Sequence, residues 1–142
     1  MQNGKVTIGL IQMSVENDRE AMLKKALARV EEAVTAGADI VCLPELYRTR
    51  YFPQHIGTSA FPYAETVPGE STHFFSRIAK EHQVVIIVPL YEKAPDGKYY
   101  NAAVVINADG TTNTPYHKVH IPQDPGFFEK GYFYPGNSYQ VV

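Results

Sequence analysis

The chain's 142 residues are 44% hydrophobic and 20% charged, with a formal net charge of −2 and a single cysteine. This is enough apolar sequence for one domain with its own core, and it gives no electrostatic reason to expect nucleic acid or an anionic membrane as partner. The longest apolar run, residues 84–90, is far too short to cross a bilayer, and one cysteine excludes an internal disulfide; with no Asn-x-Ser/Thr sequon, this fits a reducing cytoplasm.

Val6, Ile8 and Leu10 alternate with Thr7, Gly9 and Ile11, which predicts a mostly buried first strand with no signal-peptide pattern before it. Asn17 or Asp18 is placed to cap a helix whose apolar stripe is Leu23, Ala26, Leu27, Val30 and Val34, and Gly37 is placed to end it. Residues 40–43 form a short, wholly apolar strand. Strand, helix and strand of these lengths predict a βαβ unit with two parallel neighbouring strands. Residues 47–70, rich in proline and aromatics without a clear period, read as a long ordered loop of the kind that carries function. Ser71 is placed to cap a second helix with Phe74, Phe75, Ile78 and His82 on one face. Residues 84–90 follow as a buried strand, Pro95-Asp96-Gly97 as a turn, and 100–107 as another strand. Ala108-Asp109-Gly110 turns the chain again, and 112–118 is its hairpin partner. From Ile121 onward prolines and glycines make a loop-rich segment ending in the strand-like residues 139–142. No repeat or linker divides the chain. Its last apolar strand is an open edge, so the chain reads as the front part of a larger α/β domain.

Three charged residues stand out against this apolar frame. Glu45 follows the strand 40–43, Lys118 ends the hairpin partner, and Glu129 sits among Phe127, Phe128, Tyr132, Phe133 and Tyr134. Ionisable groups at the ends of buried strands are costly unless paired, which makes them site candidates. Glu45 reads either as a general base at a strand's C-terminal end or as a loop carboxylate, solvated or paired with Arg48 or Arg50. Lys118 is either a fixed cation for an oxyanion or a lysine whose stem packs while its ammonium reaches water. Glu129 orients Lys118 or holds a substrate, or else pairs with Lys130.

Cys42 lies mid-strand on the face of Ile40 and reads as a small buried hydrophobe rather than a nucleophile. His117 and His120 point to opposite faces of an extended chain, and no further Cys/His pair completes a metal site. No glycine-rich phosphate fingerprint occurs. Tyr47, Tyr51, Tyr63, Tyr116, Tyr132 and Tyr134 cluster in the loops and are expected to line a pocket or an interface.

Taken together, Leu43-Pro44-Glu45-Leu46, the run from Tyr116 to Pro122, Gly126-Phe127-Phe128-Glu129-Lys130 and Phe133-Tyr134-Pro135-Gly136 resemble the nitrilase (carbon–nitrogen hydrolase) superfamily, in its order and approximate spacing. The opening segment from Val6 to Met13 and Tyr100-Asn101-Ala102-Ala103 resemble it too. The resemblance implies an α/β, four-layer α-β-β-α nitrilase-type sandwich, of which residues 1–142 are the incomplete N-terminal portion of a single domain. It implies Glu45 as general base, Lys118 as oxyanion stabiliser and Glu129 as a second glutamate, with no metal or organic cofactor. The family's nucleophilic cysteine falls beyond Val142, and Cys42 does not match its motif. Glu45-Leu46-Tyr47, Tyr51-Phe52 and residues 125–136 look most like N-carbamoylputrescine amidases and related N-carbamoyl hydrolases. A small amide or ureide substrate is therefore expected, with a homo-oligomer or a complementary C-terminal chain as partner. The chain alone is expected to be inactive, with apolar sheet surface uncovered. Two alternatives are a non-catalytic half-length assembly subunit, and nitrile hydrolysis or acyl transfer on the same fold.

Overall fold

The structure, a computed structural model, describes residues 4–57 and 59–141. Its main elements are β1 (Ile8–Leu10), α1 (Arg19–Thr35), β2 (Ile40–Cys42), α2 (Glu70–His82), β3 (Val85–Lys93), β4 (Tyr99–Ile106) and β5 (Tyr116–His117). The strands form one sheet in the order β1-β2-β3-β4-β5. β1, β2 and β3 run parallel, and β4 and β5 return antiparallel. The βαβ expectation holds.

Asp18 caps α1, accepting hydrogen bonds from the backbone N–H groups of Glu20 and Ala21. Gly37, with φ of 92°, ends it in the conformation that glycine adopts without a Cβ penalty. α2 begins earlier than Ser71. Its N-cap is Gly69, whose N–H donates to the Thr72 hydroxyl at 2.8 Å. Ser71 is instead fully buried, its N–H and hydroxyl taken by Glu65 at 2.9 and 2.8 Å, with the Tyr47 hydroxyl 2.5 Å from its oxygen. That tertiary cluster decides where the helix starts. His82, expected on the apolar face, is exposed in the last turn.

Both helices cover one face of the sheet. Val41, Ile86, Val88, Leu90, Val104 and Ile106 meet Leu23, Ala26 and Val30 of α1 and Phe75, Ile78 and Ala79 of α2, all buried. Each large aliphatic side chain buried this way contributes about 1.5–3 kcal/mol. β1 approaches α1 closely: a Cβ at Gly9 would lie 3.0 Å from that of Ala33.

The opposite face is uncovered among the described residues, which corrects the expectation of a mostly buried first strand. Ile8 and Leu10 are 59% and 78% exposed, because β1 is a sheet edge and its alternate side chains point to this face. Ile40, Cys42, Val85, Ile87, Ala103 and Val105 share the face and are only partly buried. A helix pair on one face of a mixed sheet, with the other face apolar and open, amounts to two of the four layers of an α-β-β-α sandwich.

Two late strands differ from expectation. Within residues 112–118 the regular strand is limited to Tyr116–His117, with a bridge at Thr112 and backbone bonds from Asn113 and Lys118 to β4, since Pro115 brings no N–H to the ladder. Residues 139–141 form no strand, and Val142 lies outside the described residues. A short hairpin of β6 (Gln123–Asp124) and β7 (Phe127–Phe128) occupies the loop-rich segment, turned by Pro125-Gly126 with Gly126 at φ 82°.

Candidate active site

The residues after β2, β5 and β7 converge at one end of the open sheet face. Leu46 turns the chain directly after Glu45 with φ of +48°, an uncommon conformation for a residue with a branched side chain. Leu46 is itself buried in a second core with Phe52, Ala60, Tyr91, Tyr132 and Phe133. Phe52 makes edge and tilted contacts with Tyr91, Tyr132 and Phe133 at centroid distances of 5.1–5.7 Å, pairings worth about 0.5–1.5 kcal/mol each beyond their buried area. This aromatic core ties the loop after Glu45 to the segment after Glu129, so the two carboxylates share a rigid floor.

Lys118 is fixed by its backbone. Its N–H donates to the Asn101 carbonyl at 2.9 Å, and its own carbonyl accepts from Gly136 N–H at 2.9 Å. That approach needs glycine, because a Cβ at residue 136 would collide with the His117 carbonyl. Glu129 opens a 3-10 turn, and its carbonyl accepts from the N–H groups of Tyr132 and Phe133.

All three charged residues meet. The Lys118 ammonium donates to Glu45 Oε1 at 3.2 Å and to Glu129 Oε1 at 3.0 Å. Glu129 Oε1 also accepts from the Tyr51 hydroxyl at 2.6 Å, and Glu45 Oε1 accepts from the Asn101 side-chain amide at 2.6 Å. Glu129 Oε2 lies 3.0 Å from Lys118 Nζ yet receives no well-directed hydrogen bond among the described residues. Side-chain exposure separates the carboxylates: 2% for Glu129 and 50% for Glu45, with Lys118 at 30%. Glu129 is thus an internal counter-charge, and Glu45 is the carboxylate that an arriving molecule can reach.

Burial works to lower the Lys118 pKa, but the hydrogen bonds to Glu129 and Glu45 and their charges outweigh it, so the ammonium is held above the ordinary lysine value. Burial raises the Tyr51 phenol, and the bond donated to Glu129 raises it further. At neutral pH the site therefore holds a permanent cation and a neutral phenol.

Among the described residues Glu45 makes no ion pair with Arg48 or Arg50, and Glu129 none with Lys130. Arg48 is buried and turns away, contacting Glu20, Glu70 and Glu65 at 2.6, 2.7 and 3.3 Å. Lys130 is exposed, and its backbone N–H donates to Gln123 Oε1 at 3.2 Å. Cys42 lies on the open face with Ile40, partly exposed, and outside the Glu45–Lys118–Glu129 hydrogen bonds; burial raises its thiol pKa, which disfavours the thiolate. His117 Nε2 sits 2.6 Å from buried Glu92 while its ring stacks on Tyr100, and His120 is exposed. Among the described residues no cluster of His, Cys, Asp and Glu could hold a metal ion, and no helix is long and apolar enough to cross a membrane.

A cleft of about 1070 Å3 opens beside Lys118, walled by Tyr99, Ile121, Tyr132, Phe133 and Tyr134. Of the loop tyrosines, Tyr132 and Tyr134 line it as expected; Tyr47 does not, being 2% exposed in the main core. The sequence marks neither Asn101 nor Tyr51 as a partner of the charged residues, although Tyr51 is among the tyrosines expected to line a pocket or an interface. The visible signal for Asn101 was a lone amide opening the apolar run Ala102-Ala103-Val104-Val105-Ile106.

Comparisons with known proteins identify the family and the fold. A family model described as carbon-nitrogen hydrolase matches residues 7–142. An omega-amidase of Xenopus laevis is 36% identical over 96% of this chain and 50% of its own length. An N-carbamoylputrescine amidase of Oryza sativa subsp. japonica is 36% identical over 94% of this chain and 44% of its own. The crystal structure of a carbon-nitrogen hydrolase from Helicobacter pylori G27 superposes with a TM-score of 0.85 at 36% identity, covering 93% of this chain and 45% of that one. A nitrilase-superfamily structure from Saccharomyces cerevisiae gives 0.81 at 26% identity, covering 96% and 51%. The chain spans about half the length of the curated relatives it matches. From the family match over residues 7–142 and the shared fold, the chain belongs to the carbon–nitrogen hydrolase family.

Proposed function

We propose that this chain supplies the acid–base and electrostatic half of an amidohydrolase that cleaves the carbamoyl C–N bond of a small N-carbamoyl amine such as N-carbamoylputrescine. The observation that carries the reading is the Lys118 ammonium held between an accessible carboxylate, Glu45, and a buried one, Glu129. Such a set moves protons and stabilises an oxyanion but contains no good acyl acceptor. The nucleophile in this reading is a cysteine outside residues 1–142, in the same polypeptide or in a complementary chain, within an assembly of copies.

Glu45 takes the thiol proton, and the thiolate attacks the carbamoyl carbon. Lys118 balances the oxyanion of the tetrahedral intermediate. Glu45 returns the proton to the departing amine as the C–N bond breaks, leaving a carbamoyl thioester. It then takes a proton from water, which releases the thiol and carbamic acid, and carbamic acid decomposes to carbon dioxide and ammonia. Glu129, buried and accepting from Tyr51, keeps the Lys118 ammonium charged and in place throughout.

The resemblance of residues 125–136 to the N-carbamoyl hydrolases favours the ureide. A small omega-amide is the second reading, supported by relatives of equal identity. Ammonia release by the active protein from N-carbamoylputrescine and from succinamate separates them. The proposal expects kcat/KM to favour the ureide at least tenfold. A preference for succinamate replaces the ureide by the omega-amide, and activity on neither overturns the hydrolase reading.

A further inference from the structure

We infer that Asn101 is a positioning residue for the general base, selecting which oxygen of Glu45 carries the proton. The inference rests on the proposed role of Glu45 and extends it to a residue outside the charged set. Asn101 lies in β4 opposite Tyr91, its side chain on the open face of the sheet and 6% of the residue exposed. It acts on both reacting groups. Its carbonyl accepts the Lys118 N–H at 2.9 Å, and its amide Nδ2 donates to Glu45 Oε1 at 2.6 Å.

That same Oε1 accepts from Lys118 Nζ at 3.2 Å, whereas no hydrogen bond reaches Glu45 Oε2 among the described residues. Two donors on one oxygen leave the other as the free acceptor, so Oε2 is the atom that takes and returns the proton. A carboxylate half exposed to water and following a turn at Leu46 has rotamers to lose, and a general base must lie within hydrogen-bond reach of its proton to act. Lys118 alone cannot fix the orientation, because its ammonium is shared with Glu129. Asn101 gives Glu45 a donor of its own, anchored in a strand.

The test uses the active protein with N-carbamoylputrescine, comparing Asn101→Ala, Asn101→Asp and Glu45→Gln, with melting temperature as the control for folding. Asn101→Ala is expected to lower kcat about 10- to 100-fold with KM changed less than about threefold, the partial loss of a reacting group that is misplaced rather than removed. Asn101→Asp has nearly the same shape. Above neutral pH it places a second carboxylate against Glu45, and at lower pH its protonated form donates in place of the amide. Its activity relative to the native protein should therefore recover as pH falls, whereas Asn101→Ala should show no such recovery. A kcat within twofold of native in Asn101→Ala, with Glu45→Gln inactive, overturns the positioning role and leaves the base. Pairing of low activity with the same pH dependence in both Asn101 variants reduces the residue to a structural role and overturns the inference. Full activity in Glu45→Gln removes the base assignment and the inference with it.

Discussion

Replacing Lys118 by Met keeps most of the side chain's length while removing the charge between Glu45 and Glu129. The two carboxylates do not respond alike. Glu129 has 2% of its side chain exposed and lies 3.0 Å from the ammonium; at an effective dielectric constant of about 20 that contact is worth about 5 kcal/mol before desolvation. Without it, Tyr51 is the one remaining side-chain donor to this buried carboxylate among the described residues, and breaking such a pair from one side costs about 3–5 kcal/mol. Glu45, half exposed and with Asn101 as second donor, loses a screened contact of no more than about 1 kcal/mol. Lys118→Met should therefore lower unfolding free energy by about 3–4 kcal/mol, and adding Glu129→Leu should restore most of it by removing the stranded charge. Glu45→Gln should change stability by less than about 1 kcal/mol. Urea unfolding of the active protein, followed by circular dichroism, measures all three. A larger loss in Glu45→Gln than in Lys118→Met, or no recovery in the double variant, refutes the division into a buried counter-charge and an accessible carboxylate.

The same ion pairs set a pH response. Lys118 has a raised pKa in the folded protein, so its contribution to stability is complete below the ordinary lysine pKa and is lost as pH rises through the folded value. Burial raises Tyr47, Tyr51 and Tyr91 as well, which acts in the same direction; the Lys118 share is the part of the alkaline loss in thermal melts that disappears in Lys118→Met. Arg48→Ala should destabilise by about 3 kcal/mol, because it strips Glu65, whose side chain is only 10% exposed, of its nearer cation while also releasing Glu20 and Glu70; chemical denaturation measures it. Gly136→Ala forces a Cβ against the His117 carbonyl and should cost about 1–3 kcal/mol, with a fall in kcat as the Lys118 backbone shifts.

Much of this fold is visible in the chain's periodicities. The stripe from Leu23 to Val34, the cap at Asp18 and the apolar runs of β2 and β3 are local signals, and they place the βαβ unit without reference to anything distant. Misplaced features depend on what lies across the fold. Ile8 and Leu10 carry the alternation of a buried strand, but burial is decided by what covers a face, and these side chains lie on the uncovered one. Ser71 has a capping residue's chemistry, yet Glu65 and Tyr47 claim it from outside the helix. The β6–β7 hairpin was signalled only by Pro125-Gly126, since strands of two residues have no period to detect.

Within the site, the same distinction holds. Glu45, Lys118 and Glu129 are legible because a charge among apolar neighbours demands a partner. That the partners are one another, rather than Arg48 or Lys130, depends on the left-handed turn at Leu46 and the aromatic core beneath it. Tyr51 and Asn101, uncharged in a loop and a strand, carry no such demand, and only geometry brings them to the carboxylates.

In the proposed reaction Glu45, Lys118 and Glu129 serve a thiol that residues 1–142 do not supply. Peptide mapping by mass spectrometry of the carbamoyl-enzyme, trapped by rapid acid quench during turnover of N-carbamoylputrescine, locates that nucleophile directly. The expected result is an increment of about 43 daltons, a carbamoyl group CONH2 replacing the thiol proton, on a cysteine outside residues 1–142, with Cys42 unmodified. An increment on Cys42 contradicts a nucleophile outside residues 1–142.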